Sequence, residues 1–261
     1  MYKSKHESKL NFNYILDRCK KRYHPFNKPV EKNRNPKSLI TAINDAKKSG
    51  RNPIIAEIKY RSPTTTNKAD VYQRSTKEIA LDMIKGGACA ISVLTEPEFF
   101  GGSLDNLSEV KSVSMDLPVL RKDFIFHPTQ IPESYYYGAD SVLLISSFHT
   151  ERKLKRLIEL CRFYGMEPLV EVHGIEDINR ATDSGAKLFA INNRDKDTLK
   201  IDLSRTAEMA PHIKGVRVSA SGIENRPQLE MVLSSVEAAL IGSSIMTADD
   251  IASKVAEFVR K

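Results

Sequence analysis

Tryptophan is absent from the 261 residues, and cysteine is scarce. Cys19, Cys89 and Cys161 are odd in number, far apart and never in a Cys-x-x-Cys pair. A disulfide framework and a cysteine zinc site are therefore poor organising principles for this chain, and a reducing cytoplasm is the compartment that fits. No second histidine stands at ligand spacing from His173, so no metal site is expected. No apolar run approaches the ~20 residues that cross a bilayer. The first residues lead into no unbroken apolar stretch of the kind that marks a secretory signal. Neither a membrane protein nor a secreted one is expected. Hydrophobic residues make up 41% and charged residues 28%, an ordinary globular balance that rules out wholesale disorder.

The formal charge is +7, unevenly spread. Residues 1–52 hold 14 basic and 4 acidic side chains, the remainder 26 and 29. Nucleic-acid binding is one reading of such a segment, but it lacks the aromatic interleaving of a single-strand binder. A solvated helix face fits better, and no specific nucleic-acid partner is expected. The cations Arg18, Lys20, Lys21 and Arg22 close a helix expected over residues 8–22, where they complement its dipole. A basic rim would also raise the local concentration of an anionic substrate.

After Pro53 the pattern changes. Short apolar or β-branched runs cover residues 53–59, 88–95, 118–122, 141–146, 167–173, 187–192, 215–219 and 238–242. Helical segments between and after them include residues 72–86, 150–164, 175–184, 226–234 and 248–260. Gly87-Ala88, Gly138-Ala139 and Gly185-Ala186 stand just ahead of strands, where glycine turns a helix end into the next run. Alternation of this kind implies parallel βαβ units, and eight units in this length predict a (β/α)8 TIM barrel over residues 53–261 with an N-terminal helical extension over residues 1–52. A doubly wound open sheet would carry a glycine-rich first turn, and Ser62-Pro63-Thr64-Thr65-Thr66 has no glycine.

Barrel enzymes place their chemistry at the carboxyl ends of strands. Glu57 and Lys59 alternate with Ala56 and Ile58, so the two charges share the inward face. Two buried charges are a poor device for stability alone, which favours a site over a rim ion pair. Lys122 ends the third run; cations nearby and partial burial would lower its pKa and suit it to general-acid work, against the plain reading of a surface lysine. Glu171 is a lone carboxylate among outward-packing valines and needs a partner or a task. His173 follows on the same face, further out, and reads as a loop histidine. Asn192 can orient a hydroxyl or amine and Arg194 can meet an anion, or the pair forms an Asx turn with an Arg194–Asp195 rim bridge. Ser221-Gly222 and Gly242-Ser243, after the last two runs, expose backbone N–H groups where barrels bind phosphate.

These stretches resemble the indole-3-glycerol-phosphate synthase family. The resemblance runs from about Pro53 to the end of the chain, through Ile55-Ala56-Glu57-Ile58-Lys59, Ser62-Pro63, Leu120-Arg121-Lys122-Asp123-Phe124, Glu167-Pro168-Leu169-Val170-Glu171, Ile191-Asn192-Asn193-Arg194-Asp195, Ser221-Gly222-Ile223 and Leu240-Ile241-Gly242-Ser243-Ser244. It implies a carboxy-lyase of tryptophan biosynthesis that needs no metal or organic cofactor. It further implies that Lys122 is the general acid of ring closure, that Lys59 steers the substrate carboxylate and shares in proton transfer, and that Glu171 is the acid/base of dehydration. Glu57 and Asn192 would position these groups. Ser62, Arg194, Ser221, Gly222, Gly242 and Ser243 would receive a phosphorylated small molecule. The family usually has a glutamate before its Ser-Gly-Ile, where this chain has Ala220. Other readings remain: a non-catalytic sugar-phosphate-binding barrel, or another phosphate-binding barrel enzyme such as phosphoribosylanthranilate isomerase. A monomer or weak oligomer is expected.

Overall fold

The computed structural model of the protein describes residues 10–62 and 73–261. Eight parallel strands close into one barrel in chain order: β1 (Ile54–Ile58), β2 (Ala90–Leu94), β3 (Val119–Lys122), β4 (Ser141–Ile145), β5 (Glu167–Val172), β6 (Leu188–Asn192), β7 (Val216–Ala220) and β8 (Ala238–Ile241), with β8 paired to β1. Seven of the eight expected runs enclose their strand. β7 slides one residue further than its run, because Ala220 pairs with Asn192 and its carbonyl accepts the Asn193 N–H.

The helices are α1 (Phe12–Arg22) and α2 (Leu39–Lys48) ahead of the barrel, then α3 (Thr76–Lys85), α4 (Pro97–Phe100), α5 (Leu104–Val113), α6 (Gln130–Tyr136), α7 (Glu151–Phe163), α8 (Ile175–Asp183), α9 (Ser204–Met209), α10 (Arg226–Leu233), α11 (Ser243–Met246) and α12 (Ile251–Val259). Most of their starts follow side-chain caps; α6, α8, α9 and α11 have none. Asn11 opens α1 four residues later than expected, Thr150 opens α7, and Ser75 with Glu78 forms a reciprocal capping box on α3. Gly87, Gly138 and Gly185 turn the chain into β2, β4 and β6 with φ of 90°, 98° and 87°, a conformation that side chains rarely tolerate. Periodicity left α4, α5, α6, α9 and α11 unassigned. Two are single turns, α6 contains Pro132, and α5 is rich in Ser, Asp and Asn, which are weak helix formers.

Alternation divides the core. Ala56, Ile58, Val170 and Val172 face outward and pack under the helices. Ile55, Leu120, Leu169, Leu188, Val218 and Leu240 fill the barrel interior. Residues from the N-terminal extension, among them Ile15, Ile43 and Ala46, belong to the interior cluster. The extension runs as a strap from one barrel end to the other. α1 lies over the carboxyl ends, where Arg22 pairs with Glu96 and Glu98, Arg18 pairs with Glu98 at 3.0 Å, and the Phe12 N–H donates to the Lys196 carbonyl at 3.0 Å. The chain then descends past α6, where Arg34 reaches Asp140 at 3.0 Å. α2 sits at the opposite end, with Ser38 and the Ile40 N–H bonded to Glu167 at the start of β5. Part of the basic excess also docks the helix: Arg22 is half-buried against Glu96 and Glu98, whereas Arg18, which reaches Glu98, is exposed with Lys20 and Lys21 on the solvated face that the sequence implied.

The three cysteines are buried and free, and burial pushes their thiols up to about 12, so they behave as apolar packing groups. Among the described residues no helix is long and apolar enough to cross a membrane. Asp140 is the main polar anchor of the strap. It is fully buried and accepts from Arg34, Lys111 (2.6 Å), the Lys37 N–H and the Val119 N–H. Asp140→Ala strands two cations and two backbone donors and should cost about 3 kcal/mol or more of unfolding free energy. A urea midpoint equal to that of the parent would contradict this account of the strap.

Candidate active site

Residues at the carboxyl ends of the eight strands, or in the turns that follow them, line a single cavity of about 600 Å3. Glu57, Lys59, Lys122, Glu171, Asn192 and Arg194 all line it, as do Ser62, Ser221, Gly222, Gly242 and Ser243. The rest of the expected first loop, Pro63, Thr64, Thr65 and Thr66, lies outside the described residues.

Glu57 is the electrostatic centre. Its Oε2 lies 3.1 Å from Lys122 Nζ and its Oε1 lies 3.4 Å from Lys59 Nζ. The side chain is only 5% exposed, so a carboxylate survives there because two ammonium groups hold it. Burial alone would push its carboxyl up, yet Lys122 and Lys59 keep it below the usual glutamate range. The two lysines diverge. For Lys59, burial outweighs the attraction of Glu57, and Lys122 and Arg194 add repulsion, so its pKa falls below the ordinary lysine value. Lys122 is also largely buried, but Glu57 and Glu171 together overcome burial and raise its pKa. This corrects the sequence expectation, which assigned the lowered pKa to Lys122. The neighbouring cations were visible in the sequence, and the two carboxylates folded onto Lys122 were not. A site that drives two like groups apart keeps Lys122 in its protonated, acid form while Lys59 exchanges its proton more readily.

Two further elements shape the opposite side. Ser221 adopts a left-handed φ of 72°, followed by Gly222 at 85°. A non-glycine residue there is strained by about 1 kcal/mol, and Asn193 holds it, donating to the Ser221 carbonyl and to Ser219 Oγ, each at 3.0 Å. A side chain on Gly222 would collide with Ile201, and one on Gly242 would press on the Glu57 carboxylate. Both glycines thus keep backbone exposed to the cavity. Ser243 Oγ accepts from Lys59 Nζ at 3.0 Å, which ties the β8 turn to the charged cluster.

The family model described as indole-3-glycerol phosphate synthase matches residues 13–258. The chain belongs to the indole-3-glycerol phosphate synthase family. An indole-3-glycerol phosphate synthase from Methanocaldococcus jannaschii is 44% identical over 89% of this chain and 86% of its own length. One from Aquifex aeolicus is 43% identical over 79% and 80%. Among solved structures, a 3-hexulose-6-phosphate synthase superposes with a TM-score of 0.64 over 79% of this chain and 97% of that one. A tryptophan synthase alpha chain from Legionella pneumophila gives 0.60 over 84% and 93%. At 16% and 11% identity these two speak only for the barrel fold.

The synthase-family match covers α1 from Asn13 onward, a stretch that the motifs did not reach. Phe12 and Ile15 from α1 line the cavity with Phe100 and Phe124. Phe12 meets Phe124 edge-on at 5.9 Å, and Phe148 stacks behind Phe124 at 6.0 Å. The cavity is therefore lined by an aromatic group of side chains as well as by the charged cluster. The sequence had no signal for Phe12, whose contacts are far away in the chain; Phe124, two residues beyond Lys122, could have been found by its position after a strand. Asn192 does form the Asx turn, its Oδ1 accepting the Arg194 N–H at 3.0 Å. The rim bridge between Arg194 and Asp195 is not formed: Asp195 pairs with Arg205 at 2.9 Å, and Arg194 bonds the Leu199 carbonyl.

Site-resolved NMR titration of lysine side chains should find Lys59 losing its proton below the ordinary lysine range and Lys122 above it. Glu57 raises both, so Glu57→Gln should lower both. Coincident titration of the two at the ordinary value would refute the division.

Proposed function

We propose that the chain closes and decarboxylates 1-(2-carboxyphenylamino)-1-deoxyribulose 5-phosphate to indole-3-glycerol phosphate, CO2 and water. The observation that carries this reading is the buried Glu57 carboxylate bridging Lys59 and Lys122, at 3.4 and 3.1 Å, within one cavity that also has an aromatic wall and exposed backbone donors.

The substrate presents an aryl ring, a carboxylate, a ketone and a phosphate. The ring fits against Phe12, Phe100 and Phe124. The phosphate meets Ser62, Arg194 and the turns at Ser221, Gly222, Gly242 and Ser243, where N–H donors face an anion. Ring closure joins the aryl carbon that bears the carboxylate to the keto carbon. The keto oxygen gains a proton from Lys122 and becomes a hydroxyl. Loss of CO2 returns the bonding electrons to the ring. Lys59 steers the carboxylate before it leaves and, with its lowered pKa, exchanges a proton readily. The hydroxyl then departs as water while a carbon-bound proton is removed, with Glu171 as acid and base. Asn192 and Glu57 hold the reacting groups in line.

The direct test is a fluorescence assay for the indole product formed from this substrate, run beside the phosphoribosylanthranilate isomerisation. Indole formation alone supports the reading, and isomerase activity alone defeats it. Lys122→Met keeps the stem and deletes the proton and charge; kcat should fall at least ~10²-fold, and near-normal turnover in a folded variant would remove Lys122 from the mechanism. Ala220 is buried beside Asn192 and Leu240. Lys59, Lys122 and Arg194 line the same cavity, so an added carboxylate would meet cations there. Ala220→Glu should therefore raise kcat, and an equal or lower kcat would show that the mouth is adapted to alanine.

A further inference from the structure

β5 places His173 two residues beyond Glu171 on the same inward face. The loop position was expected; the environment was not. The imidazole is only 4% exposed. Its Nε2 lies 3.3 Å from Glu171 Oε1 and its Nδ1 lies 3.8 Å from Asp177 Oδ2. Phe12 of α1 meets the ring edge-on at 5.8 Å. Neither ring nitrogen has an aligned hydrogen bond among the described residues, and nor does Glu171 Oε1. A buried imidazole left this way between two carboxylates is a costly packing group, and a small rotation of the ring or the carboxyl completes its bond to Glu171.

Asp177 cannot follow such a rotation. Its Oδ2 accepts the His173 backbone N–H at 3.1 Å and its Oδ1 accepts from Arg180 at 2.7 Å. The charged groups around the imidazole are thus Glu171 from β5, the fixed Asp177–Arg180 pair from α8, and Lys122 of β3, which interacts with Glu171. α1 presents the apolar face of Phe12.

We propose that His173 is a positioning residue for Glu171, itself oriented by Asp177. The proposal rests on the reading of Glu171 as the acid/base of dehydration. A group that alternates between carboxyl and carboxylate needs a neighbour suited to both states. With Nδ1–H turned to Asp177, Nε2 accepts from the protonated carboxyl; as imidazolium, the ring donates to the carboxylate. Either way Glu171 keeps one orientation through the proton cycle, with Phe12 shielding the contact from solvent.

The test uses His173→Phe, which fills the same space and keeps a ring for Phe12, and His173→Gln, which retains a polar amide but does not titrate. The expected result for His173→Phe is a kcat lower by about tenfold or more, with KM within about twofold and the thermal midpoint little changed. Gln should recover part of kcat, while both variants show a kcat–pH profile displaced by about half a unit or more from the parent. A parent-like kcat and pH profile in His173→Phe would overturn the proposal. So would equal losses in both variants accompanied by a lower thermal midpoint, which mark a structural role. If the Phe variant does not fold, Asp177→Asn takes its place, with the same expected shift in profile and the same overturning result. Glu171→Gln separates the two levels: parent-like turnover there defeats the reading of Glu171 and this proposal with it, whereas an impaired Glu171→Gln beside an unaffected His173→Phe defeats this proposal alone.

Discussion

The buried carboxylate of Glu57, gripped by Lys59 and Lys122, is the contact on which the rest of the site depends. Isolated in the barrel interior, any of these three charges would be expelled or neutralised. Together they tie the end of β1 to the end of β3, and through Ser243 to the turn after β8. The geometry also dictates a neighbour: at position 242 any side chain would press on the Glu57 oxygens, so the backbone itself must form that edge of the cavity. A single carboxylate thus sets the protonation of two lysines and the shape of a turn nearly two hundred residues away.

The cavity joins two kinds of recognition. Strand ends supply charge, because inward alternation puts polar groups at the last layer of a barrel that is otherwise filled by Ile55, Leu120, Leu169 and Leu188. The aromatic wall comes instead from α1, from the end of α4 and from the loop after β3. The helical extension is therefore part of the site, contributing Phe12 and Ile15 to the same surface that the barrel loops present.

Much of this was legible in the sequence because it depends on local periodicity. Alternation along β1 and β5 sorted Glu57, Lys59 and Glu171 from their outward-packing neighbours, and each expected run met its strand. What stayed hidden depends on distant pairing. The sign of the Lys122 shift required knowing that Glu57 and Glu171 arrive from strands on either side. The bond from Asn193 that holds strained Ser221 crosses between two strand ends, and Asp195 chose Arg205, ten residues away, over adjacent Arg194. Short or proline-containing helices such as α4 and α6 lack the length over which a 3.6-residue repeat becomes visible.

The strap has a consequence for the order of assembly. Its residues leave the ribosome before the barrel strands do, yet their partners are Glu96, Asp140, Glu167, His173 and Lys196. The segment must wait, with α1 and α2 short of their tertiary support, until the middle of the chain has been made. Contacts of such long sequence separation form late and slowly. The aromatic wall and the shield over His173 are then completed only once the barrel has closed, which makes a finished mouth a report that the whole fold is in place.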